Sequence, residues 1–430
     1  MALAGGLRGM PRVLPASFAL FAASARTVGG VAGAVTGIYA CTFIAKEVAP
    51  AVPRTIRHRS VHVPLIDIKA QHAALRDEMQ AAFAEVLDSG QFILGPHVER
   101  FEAQLAQLCG VEHAVGISSG TDALLVSLMA LDVGPGDEVI VPSFTFFATA
   151  SVVSRLGARP VFVDVSPRTL NLDARMLEGA ITRATKAVIP VHLFGLPADM
   201  GPIMKIARQH RLHVIEDAAQ GLGARYDDKA VGSIGDVGCF SFYPTKGLSA
   251  MGDAGACVTN DAGLAQRLRQ LRVHGSQGGY HFPMIGGNFR LDGVQAALLS
   301  VKLPRVEQWI KARRRLAQRY HDAFEELPLS TPFQPEARYH AYNIYTVRLR
   351  SGQREALRHH LDAWGIGNRV YYPEPLHLQP CFAELNYKRG MLPMSERAAE
   401  EVLSLPMYPE MTDEQQGEVI AAVRDFFAAE

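Results

Sequence analysis

Between Leu75 and Leu108 apolar residues recur three and four positions apart, at Met79, Phe83, Val86 and Leu87 and again at Val98, Phe101, Leu105 and Leu108. That is the spacing of helices that bury one face. Ser89-Gly90 and Gly95-Pro96 interrupt the run and predict a turn between two helices. After it the period changes. Val139-Ile140-Val141, Pro160-Val161-Phe162-Val163, Ala187-Val188-Ile189-Pro190-Val191 and His213-Val214-Ile215 are short continuous apolar runs, and helical stretches near Thr121–Leu131, Ala148–Leu156, Asp173–Ile181 and Asp199–His210 lie among them. Strands buried on both faces and alternating with helices predict an α/β fold with a mainly parallel sheet covered on both sides. The last third differs: an Arg-rich helix over 305–325, a strand over Asn343–Arg350, then helix and turn, which predicts a smaller α+β domain. The expected division is an extension over 1–60, a large domain over 61–305 and a small C-terminal domain over 306–430.

Hydrophobic residues make up 48% and charged residues 20%, enough apolar surface for a sizeable core and little reason for disorder. Lys+Arg and Asp+Glu both number 43, so the basic stripe expected of a nucleic-acid binder is missing and no nucleic-acid partner is expected. Residues 1–60 stand apart, with seven basic residues against the single acid Glu47 and an uncharged run of 18 residues at Val28–Ala45. Three readings fit this segment: a membrane or signal anchor, an organellar transit peptide, and a non-structural extension from a start placed too far upstream. The third is preferred, the extension being either disordered or the product of such a start, and membrane attachment is not expected. Cys41, Cys109, Cys239, Cys257 and Cys381 are odd in number and never paired as C-x-x-C. They form neither a disulfide framework nor a metal site, which suits a reduced, cytoplasmic protein.

Four motifs carry candidate chemistry. Gly116-Ile117-Ser118-Ser119-Gly120-Thr121-Asp122-Ala123 opens a helix with small polar residues, either an ordinary cap or an anion site made of free N–H groups. Pro142-Ser143-Phe144-Thr145-Phe146-Phe147 follows a strand with aromatics that pack in the core or stack on a flat cofactor. Val214-Ile215-Glu216-Asp217-Ala218-Ala219-Gln220 delivers acids to the carboxyl edge of the sheet, where ligands bind. Strand side chains alternate, so only one of Glu216 and Asp217 can keep a pyridine nitrogen protonated. Phe240-Ser241-Phe242-Tyr243-Pro244-Thr245-Lys246-Gly247-Leu248 sets a lysine among aromatics, where desolvation frees its amine to form a Schiff base. Each motif is weak alone. Their order, followed by Gly252-Asp253-Ala254-Gly255-Ala256, is specific.

From about Pro64 to its end, the chain resembles the DegT/DnrJ/EryC1/StrS family of pyridoxal-phosphate-dependent sugar aminotransferases in its S-G-T-D-A-L, P-S-F-T-F, E-D-A-A-Q and S-F-Y-P-T-K elements. The resemblance implies the type I aspartate-aminotransferase fold with a seven-stranded sheet, and a homodimer. It implies Lys246 as the Schiff-base lysine, Asp217 on the pyridine nitrogen, Phe146 stacked on the ring and Gln220 on the ring hydroxyl. Backbone N–H groups of Thr121 and Asp122, with Ser241, would hold the phosphate, and Asn288 would reach the phosphate of the partner's cofactor. Two departures touch the lysine loop: Gly247 replaces the usual Asn or Pro, and G-D-A-G the usual G-D-G-G.

The implied reaction takes an amino group from an amino acid, L-glutamate by resemblance, to a keto-sugar nucleotide, with Lys246 as general base. Arg290, Tyr372 and His377 are the candidate substrate residues, with His377 either a ligand contact or a turn residue. Val191–Gly195 and Gln91–Gly95 lie closer to relatives that aminate C3 of a dTDP- or UDP-linked sugar than to C4 enzymes. A C4 enzyme and a non-catalytic regulatory or scaffold homologue are the alternatives. A sugar dehydratase on this fold would carry histidine in place of Lys246.

Overall fold

The structure, a computed structural model, describes residues 62–350 and 352–429. The segment 1–60, with its candidate anchor Val28–Ala45, lies outside the described residues. No helix among those residues is long and apolar enough to cross a membrane.

The predicted helical pair appears as α2 (Arg76–Ser89) and α3 (Pro96–Cys109), after a short α1 (Ile68–Ala73) whose first turn is capped by Asp67. Gly90 closes α2 in the left-handed region at φ 63°, a conformation that costs glycine nothing, and Pro96 opens α3 at a position where no N–H is needed. Seven strands follow: β1 (His113–Ile117), β2 (Glu138–Pro142), β3 (Arg159–Val163), β4 (Thr185–Val188), β5 (His213–Asp217), β6 (Val237–Ser241) and β7 (Gly255–Thr259). They form one sheet in the order β1-β7-β6-β5-β4-β2-β3. Pairs from β6 to β3 are parallel, while β7 runs antiparallel to both neighbours. The sheet matches the type I fold expected from the resemblance. Its connecting helices include α4 (Gly120–Ala130), α5 (Ala148–Arg155), α6 (Met200–His210) and α7 (Ala262–Leu271).

Alternation along the strands explains the continuous apolar runs. Val139 and Val141 pack with Leu124, Leu128 and Val152 on one face, whereas Ile140 packs with Met200, Ile203 and Ala207 on the other. Both faces are core, so no polar position is left to mark the strand period. The expected helix over Asp173–Ile181 is shorter, a 3-10 turn at Ala174–Met176 and one α-turn at Leu177–Ala180.

After α8 (Gly293–Lys302) comes the Arg-rich helix, α9 (Val306–Phe324). It leads to a second sheet of three strands, β8 (Leu329–Ser330), β9 (Tyr345–Leu349) and β10 (Val402–Leu405), with α10 (Gln353–Ala363), α11 (Pro393–Glu401) and α12 (Asp413–Ala428) interspersed. The division expected at 305/306 is not a clean one. The start of α9 buries Val306, Trp309 and Ile310 with α3 and α8, and its end buries Leu316, Tyr320 and Phe324 with the small sheet. Val63 joins the small sheet's core as well, and Leu376, Phe382 and Leu392 join the large one.

Candidate active site

Three strand ends meet at one edge of the large sheet. Ser241, last in β6, pairs with Gly255, which also pairs with Ile117, last in β1. Asp217, last in β5, pairs with Cys239 two residues before Ser241. The carboxyl ends of parallel strands leave backbone groups and side chains facing open space, the usual place for a ligand in such sheets.

Helix α4 points its start at this edge. Ser119 caps it, accepting from Asp122 N–H at 3.0 Å, while Ser118 Oγ donates to the Asp122 carboxylate at 2.7 Å. The N–H groups of Gly120 and Thr121 have no hydrogen bond among the described residues, and the helix dipole adds positive charge there. This differs from the expectation for Thr121 and Asp122: the Asp122 N–H is taken by the cap, and the open pair is Gly120 with Thr121. A Cβ on Gly120 would stand 2.5 Å from the Cβ of Ser241, so only glycine lets the helix start approach that serine. Two N–H groups and a hydroxyl, converging at a helix start, suit a phosphate.

The two acids at the end of β5 separate as their alternation requires. Glu216, fully buried, accepts from the N–H groups of Gly232, Ile234 and Gly235 at 2.7–2.8 Å. His192 Nδ1 accepts from Ala198 N–H, so its Nε2 carries the proton and donates to Glu216 at 2.9 Å. That pair braces the scaffold. Asp217 faces the site, accepting from Thr149 Oγ1 at 2.8 Å and from Ala219 N–H at 3.2 Å. Burial pushes its carboxyl above the usual range, and those two donors with the charge of Lys246 pull the other way.

Lys246 follows β6 in a turn where its own N–H donates to Tyr243 O at 2.8 Å. Among the described residues its Nζ has no hydrogen bond and no ion pair. Burial lowers the pKa of this amine, with the Asp217 charge opposing. An unpartnered amine held toward its neutral form is a nucleophile in waiting. Gln220 directs its carbonyl to Phe194 N–H at 2.7 Å and one amide proton to Tyr372 OH at 3.1 Å, leaving the second proton for a ligand. Phe146 is half-exposed, and its ring centroid lies 6.1 Å from that of Tyr372.

The substrate candidates and Asn288 fall in different places. Tyr372 is joined to Gln220 and Phe146, so it braces the cofactor residues from one side. Asn288 is exposed, and Arg290 beside it pairs its backbone with Ile117 and has a buried Nε without a partner. His377 lies in a 3-10 turn with its side chain wholly buried, Nδ1 2.6 Å from Ser143 Oγ and Nε2 3.2 Å from Glu396. Thr149 and the His192–Glu216 pair were missed in the sequence. A threonine three residues after Phe146, at the start of a predicted helix beside the sheet edge, was the available signal.

The chemistry of these groups suits pyridoxal phosphate: a helix start fits a phosphate, a buried acid a ring nitrogen, an aromatic a ring face and a free amine an aldehyde. The sequence model of the DegT/DnrJ/EryC1/StrS aminotransferase family matches residues 73–424. The chain is 47% identical over 370 residues to a pleiotropic regulatory protein of Geobacillus stearothermophilus, covering 85% of this chain and 99% of that one. It is 47% identical over 362 residues to a UDP-N-acetyl-3-dehydro-alpha-D-glucosamine 3-aminotransferase of Acidithiobacillus ferrooxidans, covering 84% and 97%. Its fold resembles the crystal structure of DesV from S. venezuelae in complex with a ketimine intermediate, with a TM-score of 0.83, 45% identity and coverage of 85% and 98%.

Proposed function

The chain belongs to the DegT/DnrJ/EryC1/StrS aminotransferase family, and on that premise we propose that it moves an amino group from L-glutamate to the ketone of a nucleotide-linked sugar, a 3-keto dTDP- or UDP-sugar. The cofactor is pyridoxal phosphate. One arrangement carries the reading: a partnerless Lys246 amine and the Asp217 carboxylate at the same sheet edge as the open start of α4. The names of two relatives support the acceptor, a UDP-linked 3-dehydro sugar in one and a dTDP-linked 3-amino sugar in the other.

When bound, the cofactor supplies an electron sink that lets a carbon beside nitrogen lose a proton. The chain's residues do the rest. Lys246 Nζ would be the base that takes the proton from the α-carbon of the amino acid and, on the sugar side, the acid that delivers a proton to the carbon gaining nitrogen. Asp217 would keep the ring nitrogen protonated, Gln220 would donate to the ring hydroxyl, and Phe146 would cover the ring face. Gly120 and Thr121 N–H with Ser241 would hold the phosphate. Arg290, with an unsatisfied Nε, is placed to meet an anionic group of substrate.

The reading includes a homodimer in which Asn288 serves the partner's cofactor. An apolar groove of about 800 Å³ lined by His72, Met79, Phe83, Met251 and Leu298 supports it, with Tyr280, Phe282 and Ile285 exposed on the segment leading to Asn288. Monomeric proteins rarely leave such surface uncovered. Cysteines without disulfide partners among the described residues, and a nucleotide-sugar substrate, support a cytoplasmic reaction. The regulatory name of the Geobacillus relative favours one alternative, a protein that keeps the fold without transferring nitrogen.

The test is a panel of 3-keto and 4-keto dTDP- and UDP-sugars incubated with L-glutamate, scored by 2-oxoglutarate release and by conversion of ketone to amine in the mass spectrum. Product from the 3-keto substrates supports the full reading. Product only from 4-keto substrates moves the site of amination, and no product with any acceptor favours the regulatory alternative.

A further inference from the structure

The two oxygens of Asp217 keep different company. Oδ1 accepts from a backbone N–H, that of Ala219, whereas Oδ2 accepts from the hydroxyl of Thr149 at 2.8 Å. Thr149 sits in the first turn of α5, fully buried. Hydroxyls inside helices ordinarily return to the carbonyl four residues back. Ser127 does so, donating to Ala123 O at 2.7 Å. Thr149 instead turns across to β5, and its Oγ1 lies 3.3 Å from the hydroxyl of Thr145, which is also buried. Because Thr149 gives its one proton to Asp217, Thr145 is the donor in that second contact. The two hydroxyls form a relay from the loop after β2 to the acid at the end of β5.

We propose that Thr149, backed by Thr145, is a positioning residue whose hydroxyl fixes the Asp217 carboxylate in the orientation and ionic form that meets the cofactor's ring nitrogen. This rests on the role given to Asp217 above. A buried carboxylate with one donor fewer both turns more freely and takes a proton more readily. Burial is the largest influence raising the Asp217 pKa, and the Thr149 hydroxyl is the largest one opposing it. The titratable groups facing Asp217 are Lys246 from the turn after β6, His192 from the turn after β4, Cys239 on β6 and Tyr372 from the segment after α10. None is altered in the variants below, so a change in behaviour reports the hydroxyl.

The experiment loads full-length protein with pyridoxal phosphate and compares wild type with T149V, T149S and T145V. It measures the dissociation constant for the cofactor and the pH midpoint of the visible Schiff-base band. T149V removes the hydroxyl at nearly constant volume. It is expected to bind the cofactor about tenfold more weakly and to move the midpoint up by about one pH unit, the scale of one lost hydrogen bond to a buried charge. T149S, which keeps the hydroxyl, is expected to restore both. An unchanged midpoint and affinity in T149V overturns the proposal, and so does a shift in T149S as large as that in T149V, since packing of the methyl would then be the cause. If T149V does not fold, T145V decides: a smaller shift in the same direction supports the relay, and none overturns it. A wild-type protein that forms no such band overturns the role of Lys246 itself, a different failure read from a different sample.

Discussion

At the scale of single residues, burial decides what each ionisable group can do. Lys246 and Asp217 are driven toward their neutral forms by burial, and each is drawn back by the other's charge. Outside the site the same force creates a liability. His340 is buried, its ring stacked on Tyr342 at 3.8 Å, and its Nδ1 accepts from the Tyr342 N–H at 2.9 Å. Burial, helped by the charge of Arg314, lowers its pKa to about 3. In the unfolded chain this group binds a proton below about pH 6.5, while the folded protein refuses it until near pH 3. Its contribution is therefore complete above pH 6.5 and is lost as the pH falls toward 3, to the order of 5 kcal/mol. His340→Gln, which cannot titrate, should make urea-unfolding stability fall less steeply between pH 6.5 and 4. An unchanged slope would show that other groups set the acid limit.

At the scale of elements, the site depends on how closely α4 approaches β6. Gly120→Ala would place a methyl 2.5 Å from Ser241 Cβ, a contact that forces the helix start and the serine apart. The expected outcome is a loss of cofactor affinity of about tenfold or more, with a stability cost of roughly 1–3 kcal/mol, measured by cofactor titration and thermal melting. Elements with a helical period or a bounded apolar run were legible in the sequence: the α2–α3 pair and the Arg-rich helix α9 by period, the strands β2 to β5 as short continuous apolar runs. Strands β6 and β7 were not, because Val237-Gly238-Cys239-Phe240-Ser241 and Gly255-Ala256-Cys257-Val258-Thr259 carry glycine and small residues where strands usually carry branched ones. Those small residues are there for close approach: a Cβ on Gly255 would stand 2.4 Å from the backbone of Ser119. The chemistry was legible through motif order. The Thr149–Asp217 bond was not, since it joins positions 68 apart and no local pattern reports such a pairing.

At the scale of the whole molecule, the proposed function includes a second chain. Asn288 and Arg290 stand beside β1 next to an exposed apolar segment, and the groove between α1, α2 and α8 is open. If each site borrows Asn288 from its partner, Lys246→Ala and Asn288→Ala homodimers should each be impaired. Mixing and re-equilibrating the two should then recover activity, toward roughly a quarter of wild type, from heterodimers with one intact site. No recovery in a mixture shown to exchange subunits would place Asn288 in its own chain's site. At the site itself, Lys246 is the residue proposed to hold pyridoxal phosphate and carry it through the first half of a transamination. The most direct test is the visible absorption spectrum of the cofactor-loaded protein before and after L-glutamate, with Lys246→Ala beside it. The account predicts a Schiff-base band in the wild type that fades on adding glutamate, and no such response in the variant. A wild-type band that glutamate leaves untouched would contradict the proposed donor reaction, and a band formed equally by Lys246→Ala would contradict the assignment of the lysine.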